Sequence, residues 1–356
     1  MVSDMSDHIQ SFEGSPVVDI VVPVYNGSSH LRETLECIEH QSYPLVNIYI
    51  VDDHSTDSTP DILASHVSRF PVSIIRHPVN RGLSAARNTG IAAGAGNYIA
   101  ILDADDLWLP AKLEHQVGLI EASDLRLGIV SCDFQIIDEF GNCNDPTVYD
   151  YCCDLDPSTR DRLVLGNLVS GGSAALIRRE CFEQCGGFDE ALSACEDWEM
   201  WYRVAGHYPI RILREPLVLV RRHSQSMQGD TPRMLRNRIE VFRRFAQDPQ
   251  SHRVAASCLF NECVAAFRYL SPSSNSSFDQ AMLQLQDMGI DSKAVSPSIW
   301  HPAYRHYRLT SFFFSCWRFF DDRFRIRQRL SRSSQARWLY RGLRWRIQSF
   351  FGLFSR

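Results

Sequence analysis

The sequence predicts an α/β fold: a doubly wound, mostly parallel sheet flanked by helices, followed by a helical C-terminal region. Three observations carry this. Short continuous apolar runs alternate with segments of helical spacing through the first 120 residues, as expected of repeated βα units joined by right-handed crossovers. The apolar runs or the loops after them end in polar groups suited to chemistry, namely Tyr25-Asn26, Asp52-Asp53, Arg81, and Asp103 with Asp105. In an open sheet of this kind ligands bind outside the carboxyl ends of the strands, so residues eighty positions apart can surround one ligand. Beyond Gly229 the pattern turns to helices.

The elements follow in order. Val17 to Val24 is a continuous apolar run, the mark of a parallel strand covered on both faces, and it ends at Pro23-Val24-Tyr25-Asn26-Gly27. Ser28 or Ser29 caps a helix carrying Leu31, Leu35 and Ile38. Asn47 to Val51 is a second strand, ending in Asp52-Asp53-His54-Ser55, and Thr59-Pro60 supplies the N-cap and first residue of a helix to Val67. After a third strand, Val72 to Ile75, the loop Asn80-Arg81-Gly82 leads into an alanine-rich helix, Leu83 to Ala93. The fourth strand, Tyr98 to Leu102, stops abruptly in Asp103-Ala104-Asp105-Asp106, and a helix spans Pro110 to Ile120. Short strands are expected at 128–132, 173–177, 210–213 and 217–220. Gly186-Gly187 lets a loop turn closely, or simply ends the preceding helix. Ser193 and Glu196 have the spacing of a capping box opening the helix Asp197 to Ala205. Helices over 233–247 and 254–269 follow. The chain thus divides into an N-terminal segment 1–15, an α/β domain 16–228 and a helical region 229–356 with a basic aromatic tail.

The chain has 356 residues, 44% hydrophobic and 22% charged, an ordinary composition for a soluble globular protein. The net charge of -5 conceals an asymmetry: residues 301–356 hold thirteen Arg, no Lys and two acidic residues, so the first 300 residues carry -16. Met1 to Ser15 has no apolar core of a secretory signal, and no segment reaches the roughly 18 continuous apolar residues that a membrane span needs. The eleven Cys include no C-x-x-C pair, which fits buried free thiols in a reducing cytoplasm better than a disulfide framework or a zinc site. In the tail, Leu339, Leu343, Ile347, Phe350 and Phe354 form one helical stripe among arginines. That pattern suits the anionic inner face of a membrane, and equally a helix packed on the chain's own body or on a second copy. No nucleic-acid-binding module is recognisable.

Clustered carboxylates after a strand suit Mg²⁺ or Mn²⁺, or else form a solvated acidic turn. Five motifs in order bear on the choice: Val21-Val22-Pro23-Val24-Tyr25-Asn26-Gly27; Ile50-Val51-Asp52-Asp53-His54-Ser55-Thr56-Asp57; Asn80-Arg81-Gly82-Leu83-Ser84-Ala85-Ala86-Arg87-Asn88; Leu102-Asp103-Ala104-Asp105-Asp106; and Glu196-Asp197-Trp198. Over residues 17 to about 226 the chain resembles the family 2 glycosyltransferases of the GT-A fold. The resemblance implies an inverting enzyme that uses Mg²⁺ or Mn²⁺ to move a sugar from a nucleotide diphosphate sugar, usually a UDP-sugar. The acceptor is expected to be a glycan or lipid-linked hydroxyl in cell-surface polysaccharide or glycolipid synthesis.

Residue by residue, the resemblance places the nucleotide against Pro23, Tyr25, Asn26, Asp52, Asp53, Arg81 and Asp103. Asp53 accepts a hydrogen bond from the uracil N3–H, and a buried partner of that kind rejects bases lacking the donor. Asp52 supports the loop. Both carboxylates also serve, more plainly, as caps of the next turn, and Arg81 is as readily a solvated loop arginine. Asp105 is the metal ligand, Asp103 contacts the ribose or the metal, and His223 joins the metal or pyrophosphate. Asp106 reads as a cap, and Glu196 as part of the capping box. Asp197 is the catalytic base: an apolar surround of Trp198, Trp201 and Tyr202 raises its pKa while the helix N-terminus lowers it. The competing class is a non-catalytic nucleotide-sugar-binding scaffold recruited to a membrane. It predicts UDP binding without transfer. A nucleotidyltransferase is excluded by the lack of a glycine-rich basic loop after the first strand.

Overall fold

In a computed structural model the described residues are 14–143, 160–169, 171–224 and 226–252, with Val254, Ala255, Cys258, Leu259 and Glu262 beyond them. They all lie in a compact unit assigned to Met1–Met288. The expected helix at 254–269 falls largely outside them, and the tail at 301–356 wholly so.

Eight strands form one sheet in the order β3-β2-β1-β4-β7-β6-β8-β5. They are β1 (Val18–Val24), β2 (Val46–Asp52), β3 (Val72–Arg76), β4 (Tyr98–Ile101), β5 (Leu107–Trp108), β6 (Ile129–Ile137), β7 (Leu176–Arg178) and β8 (Ile210–Arg221). The helices are α1 (Leu31–Glu39), α2 (Thr59–Ala64), α3 (Leu83–Ala93), α4 (Lys112–Ala122), α5 (Arg160–Val164), α6 (Arg179–Cys185), α7 (Glu196–Ala205) and α8 (Thr231–Phe245).

The first half is the expected parallel arrangement. Val18 of β1 pairs with Val46 on one side and Tyr98 on the other, so three carboxyl ends come out side by side. Every residue of β1 is buried, as a strand covered on both faces requires. The α3 helix packs on β1 and β2, and its small residues Ser84, Ala85, Ala86 and Gly90 allow the close approach.

The second half makes the sheet mixed. β7 runs antiparallel to β4 and β6, β5 runs antiparallel to β8, and β6 is parallel to β8. The two short strands expected at 210–213 and 217–220 are one strand, β8, because a register shift near Asp133 takes up Arg214 and Glu215 without breaking the pairing. Two-residue β5 has too little sequence to carry a period and was not anticipated.

Several helix starts differ from expectation. No Ser caps α1, whose N-cap is His30. Thr59 lies inside α2, and its backbone N–H is received by Asp57, 3.0 Å away. The capping box at Ser193 does not form: α7 begins from Cys195 in the left-handed region (φ 60), with no side-chain cap. Ser193 instead exchanges hydrogen bonds with Asn237 of α8, and Glu196 turns inward to an arginine. Gly186, at φ 79, ends α6.

The α8 helix closes the far side. Phe242 and Phe245 meet Trp198 at centroid distances of 5.1 and 5.7 Å, and Phe245 stacks on Tyr202 at 3.9 Å. Among the described residues seven cysteines are free, six of them buried or partly so. None of the described helices is long and apolar enough to cross a membrane.

Candidate active site

The loop after β1 is zipped to the loop after β2. Asn26, at φ 52, donates its backbone N–H to Ser55 Oγ (2.9 Å) and accepts the N–H of Thr56 at Oδ1 (2.8 Å). Gly27 N–H reaches Thr59 Oγ1 and Ser28 N–H reaches Asp57. Burial alone would raise Asp57, but hydrogen bonds from Ser28 and Thr59 outweigh it and hold the carboxyl at about 2. Tyr25 stands half-exposed beside this frame, whereas Pro23 lies inside β1 opposite Val51.

Asp52 and Asp53 are both buried. Asp52 accepts the N–H of Ser55 at 2.8 Å. Asp53 accepts the N–H of Arg81 (2.8 Å) and of Gly82 (2.7 Å), and His77 Nδ1 lies 2.7 Å from its Oδ1. It therefore fixes the entry to α3, where Gly82 takes φ 91, a region only glycine enters readily. A carboxylate there also suits the positive end of the helix. Arg81 itself points outward, nearly half exposed, 3.4 Å from Glu190 on the loop after α6.

The carboxylates after β4 are held from three sides. Asp103 donates its N–H to Ser173 Oγ (3.1 Å), and Ser173 donates to Asp106 (2.6 Å). Thr34 of α1 bonds the carbonyls of Ala104 and Asp106. Arg221, at the end of β8, donates its backbone N–H to Asp106, its Nε to the Asp105 carbonyl (3.0 Å) and its Nη2 to Glu33 (2.6 Å). His223 Nε2 sits 3.0 Å from Asp105 Oδ2, and its ring is 5.3 Å from that of His30. Burial and then the charge of Asp103 push Asp105 up, with His223 opposing. Burial, Asp105 and Asp103 push Asp106 up further.

Asp197 lies in the first turn of α7, partly buried. Its carboxylate accepts the N–H of Trp198 (2.6 Å) and the Nδ2–H of Asn167 (3.2 Å). Burial and then Glu196 push it up to about 7, against the pull of Arg87. Of the two opposed effects in the sequence, burial wins.

Arg87 joins the two groups. It projects from α3, is 2% exposed, and bonds Asp103 through Nη2 at 2.7 Å and Glu196 through Nη1. The end of β4 and the start of α7 are thereby adjacent. The structure thus gathers Asp103, Asp105, His223 and the turn that carries Asp197, with Asp52 and Asp53 organising the adjoining loop. Pro23 and the Arg81 side chain are not drawn into hydrogen bonds with this group. Arg87, Arg221, Ser173 and Asn167 had no role assigned from sequence. The one available signal was Arg87, a charge at a core-facing position of an alanine-rich helix.

Among the described residues no three Asp, Glu, His or Cys side chains converge as a ready metal cage. The donor set nonetheless fits a hard divalent ion. Asp105 and Asp103 repel each other, which a cation would relieve, and His223 adds an imidazole beside Asp105. Magnesium is commonly held by one or two carboxylates together with substrate phosphates.

A model of glycosyl transferase family 2 matches residues 19–186. An uncharacterized glycosyltransferase of Rickettsia prowazekii (strain Madrid E) is 30% identical over 217 residues, 59% of this chain and 65% of that protein. TuaG of Bacillus subtilis (strain 168), named a putative teichuronic acid biosynthesis glycosyltransferase, is 30% identical over 166 residues, 46% of this chain and 63% of its own. The chain spans between 31% and 65% of the length of five such Rickettsia relatives. Among solved structures, S. aureus TarS 1-349 in complex with UDP-GlcNAc overlays with a TM-score of 0.61 at 16% identity, over 80% of this chain and 82% of that one. The mannosyltransferase PcManGT from Pyrobaculum calidifontis, in complex with GDP-Man and Mn²⁺, gives 0.52 at 20% identity, over 84% and 85%. At these identities the likeness is one of fold.

Proposed function

Because this chain belongs to glycosyl transferase family 2 through its residues 19–186, we propose that it is an inverting glycosyltransferase using a UDP-sugar. The acceptor is a hydroxyl of a glycan or lipid-linked acceptor in cell-surface polysaccharide or glycolipid synthesis, a reading supported by the teichuronic acid biosynthesis named for the Bacillus relative. The observation that carries the proposal is the Arg87 bridge, which sets the strand-end carboxylates beside the turn bearing Asp197.

Asp197 takes the proton of the acceptor hydroxyl while that oxygen attacks the anomeric carbon from the face opposite the departing nucleoside diphosphate. A pKa near 7 suits it, since a base works best when its pKa lies close to the working pH. Asn167 orients the carboxylate, leaving the other lone pairs for the hydroxyl. Asp105, with Asp103 and His223, would hold Mg²⁺ or Mn²⁺. When bound, such an ion offsets the negative charge of the leaving diphosphate. Asp53 has lone-pair capacity left on Oδ2 for a base N–H, and Tyr25 offers an exposed ring at the same loop.

The test is transfer from a panel of UDP-sugars by the full chain with Mn²⁺, followed by chelation and by Asp197→Asn. Loss of turnover in both supports the reading; undiminished transfer by Asp197→Asn overturns the base, and undiminished turnover after chelation overturns the metal. Residues 301–356 are proposed to bind the cytoplasmic face of an anionic membrane through their arginines and aromatic residues. Equal sedimentation of the full chain with and without anionic liposomes would end that proposal.

A further inference from the structure

The position of Arg87 is built rather than incidental. A guanidinium 2% exposed carries a desolvation cost that only well-made partners offset. Two carboxylates from separate elements meet it, Asp103 after β4 and Glu196 at the start of α7. The ring of Phe188 lies 5.4 Å from its Cζ. On the remaining side stands Gly172, where a Cβ would come within 3.1 Å of Nη2, so the backbone there approaches the guanidinium directly. Its Nε, though buried, makes no hydrogen bond. The two terminal nitrogens of the guanidinium thus serve one carboxylate each, and Nε is left over.

We propose that Arg87 is the positioning residue of this site, its guanidinium holding the donor-side carboxylate Asp103 and the base-side carboxylate Glu196 as one unit. It couples the two halves of the reaction: what happens to Asp103 on donor binding is felt at Glu196, and through Glu196 at its neighbour Asp197. This rests on the reading of Asp197 as the base. The ionisable groups facing Asp197 are Glu196 on its own helix, Arg87 from α3, Asp103 from the end of β4 and the thiol of Cys195. Glu196 and Asp103 oppose its ionisation, and Arg87 favours it. The arginine of the bridge and its two carboxylates thus act on Asp197 with opposite sign.

The experiment measures the titration of Asp197 in the full chain without requiring an acceptor. Thermal stability is followed against pH for each protein with and without Asp197→Asn, and the difference between the two curves reports the pKa of Asp197. Arg87→Gln is expected to move that pKa up by about one pH unit and Glu196→Gln to move it down by a similar amount. Arg87→Lys, which keeps the charge and loses the fork, restores the pKa towards its wild-type position. UDP affinity measured with Mn²⁺ is expected to fall about tenfold in both Arg87 variants, since Asp103 loses its charge-assisted hydrogen bond from Nη2. A merely structural arginine would change the height of the stability curves and leave the position of the Asp197 titration where it was. If Arg87→Gln does not fold, Glu196→Gln and Arg87→Lys decide. An unmoved titration in Glu196→Gln, or unchanged UDP affinity in Arg87→Lys, overturns the proposal. Normal sugar transfer by Asp197→Asn, by contrast, removes the base assignment and leaves the measured coupling standing.

Discussion

Two buried arginine–carboxylate clusters lie at opposite ends of the same strands. At the amino ends, Asp19 of β1, fully buried, accepts from Arg179 (2.5 Å), from the Gly96 N–H (2.6 Å) and from Asn47 (3.1 Å). Arg179 spends its other donors on the carbonyls of Gly96 and Ile91. At the carboxyl ends, Arg87 meets Asp103 and Glu196. The first cluster closes on itself: it ties β1, the loop before β4 and the start of α6 together, and each polar group named has a protein partner. The second is open. Asp103 and Asp105 remain about one-third exposed, Asp197 is poised near neutrality, and Arg87 has a donor unused. Burying an ion pair is thus no sign of function by itself. What separates the two clusters is the end of the sheet they occupy, because only the carboxyl ends open onto loops that can surround a ligand.

That contrast can be broken most sharply at Asp197. Asp197→Asn is expected to lower sugar transfer by about 10²- to 10⁴-fold while leaving UDP affinity as it was, measured by steady-state kinetics and calorimetry. Asp19→Ala should do the reverse. Leaving Arg179 with a buried, unmatched charge costs about 3–5 kcal/mol of stability, read from denaturant unfolding, with UDP affinity and the pH profile of the folded protein unchanged. A shifted pH profile in Asp19→Ala would dissolve the distinction between the two ends.

A smaller effect is the pH dependence. Transfer should rise with pH and level off above about 7, where Asp197 is ionised. Stability runs the other way. The folded carboxyl titrates near 7 against 3.8 for the free side chain, so the native state holds the extra proton between those values. Stability from this group is therefore complete below the lower value and declines as pH rises through the higher one. Asp197→Asn is accordingly expected to melt a few degrees above the wild type at pH 8, and scanning calorimetry at that pH checks it. Smallest is Arg81→Ala. Its pair with Glu190 is nearly half exposed on both sides and screened by water, so stability should change by less than about 1 kcal/mol. A larger loss would mean that the loops carrying Arg81 and Glu190 are joined more firmly than the geometry shows.

Legibility followed the same division. The parallel half was readable because its signals are local: an apolar run such as Val18–Val24 has one environment that suits it, and the carboxylates after it fall where strands end. The half from β5 to β8 was read in fragments. Ile210–Arg221 looks like two strands because Arg214 and Glu215 interrupt the apolar run, yet the partner strand bends with it. Ser193 and Glu196 have the spacing of a cap, but the competing partners, Asn237 and Arg87, stand 44 and 109 positions away. A local rule cannot weigh a distant rival.

By itself the sequence determined the alternation of strands and helices, the strand ends at which acidic groups gather, and the identity of Asp103, Asp105 and Asp197 as groups of interest. Only the tertiary structure decided what each of those groups is bonded to. Periodicity and capping reflect contacts within a few residues, which any chain segment carries with it. The charge state of Asp197 and the bridge at Arg87 depend on burial and on carboxylates brought together from separate elements, and those distances exist only once the sheet has closed.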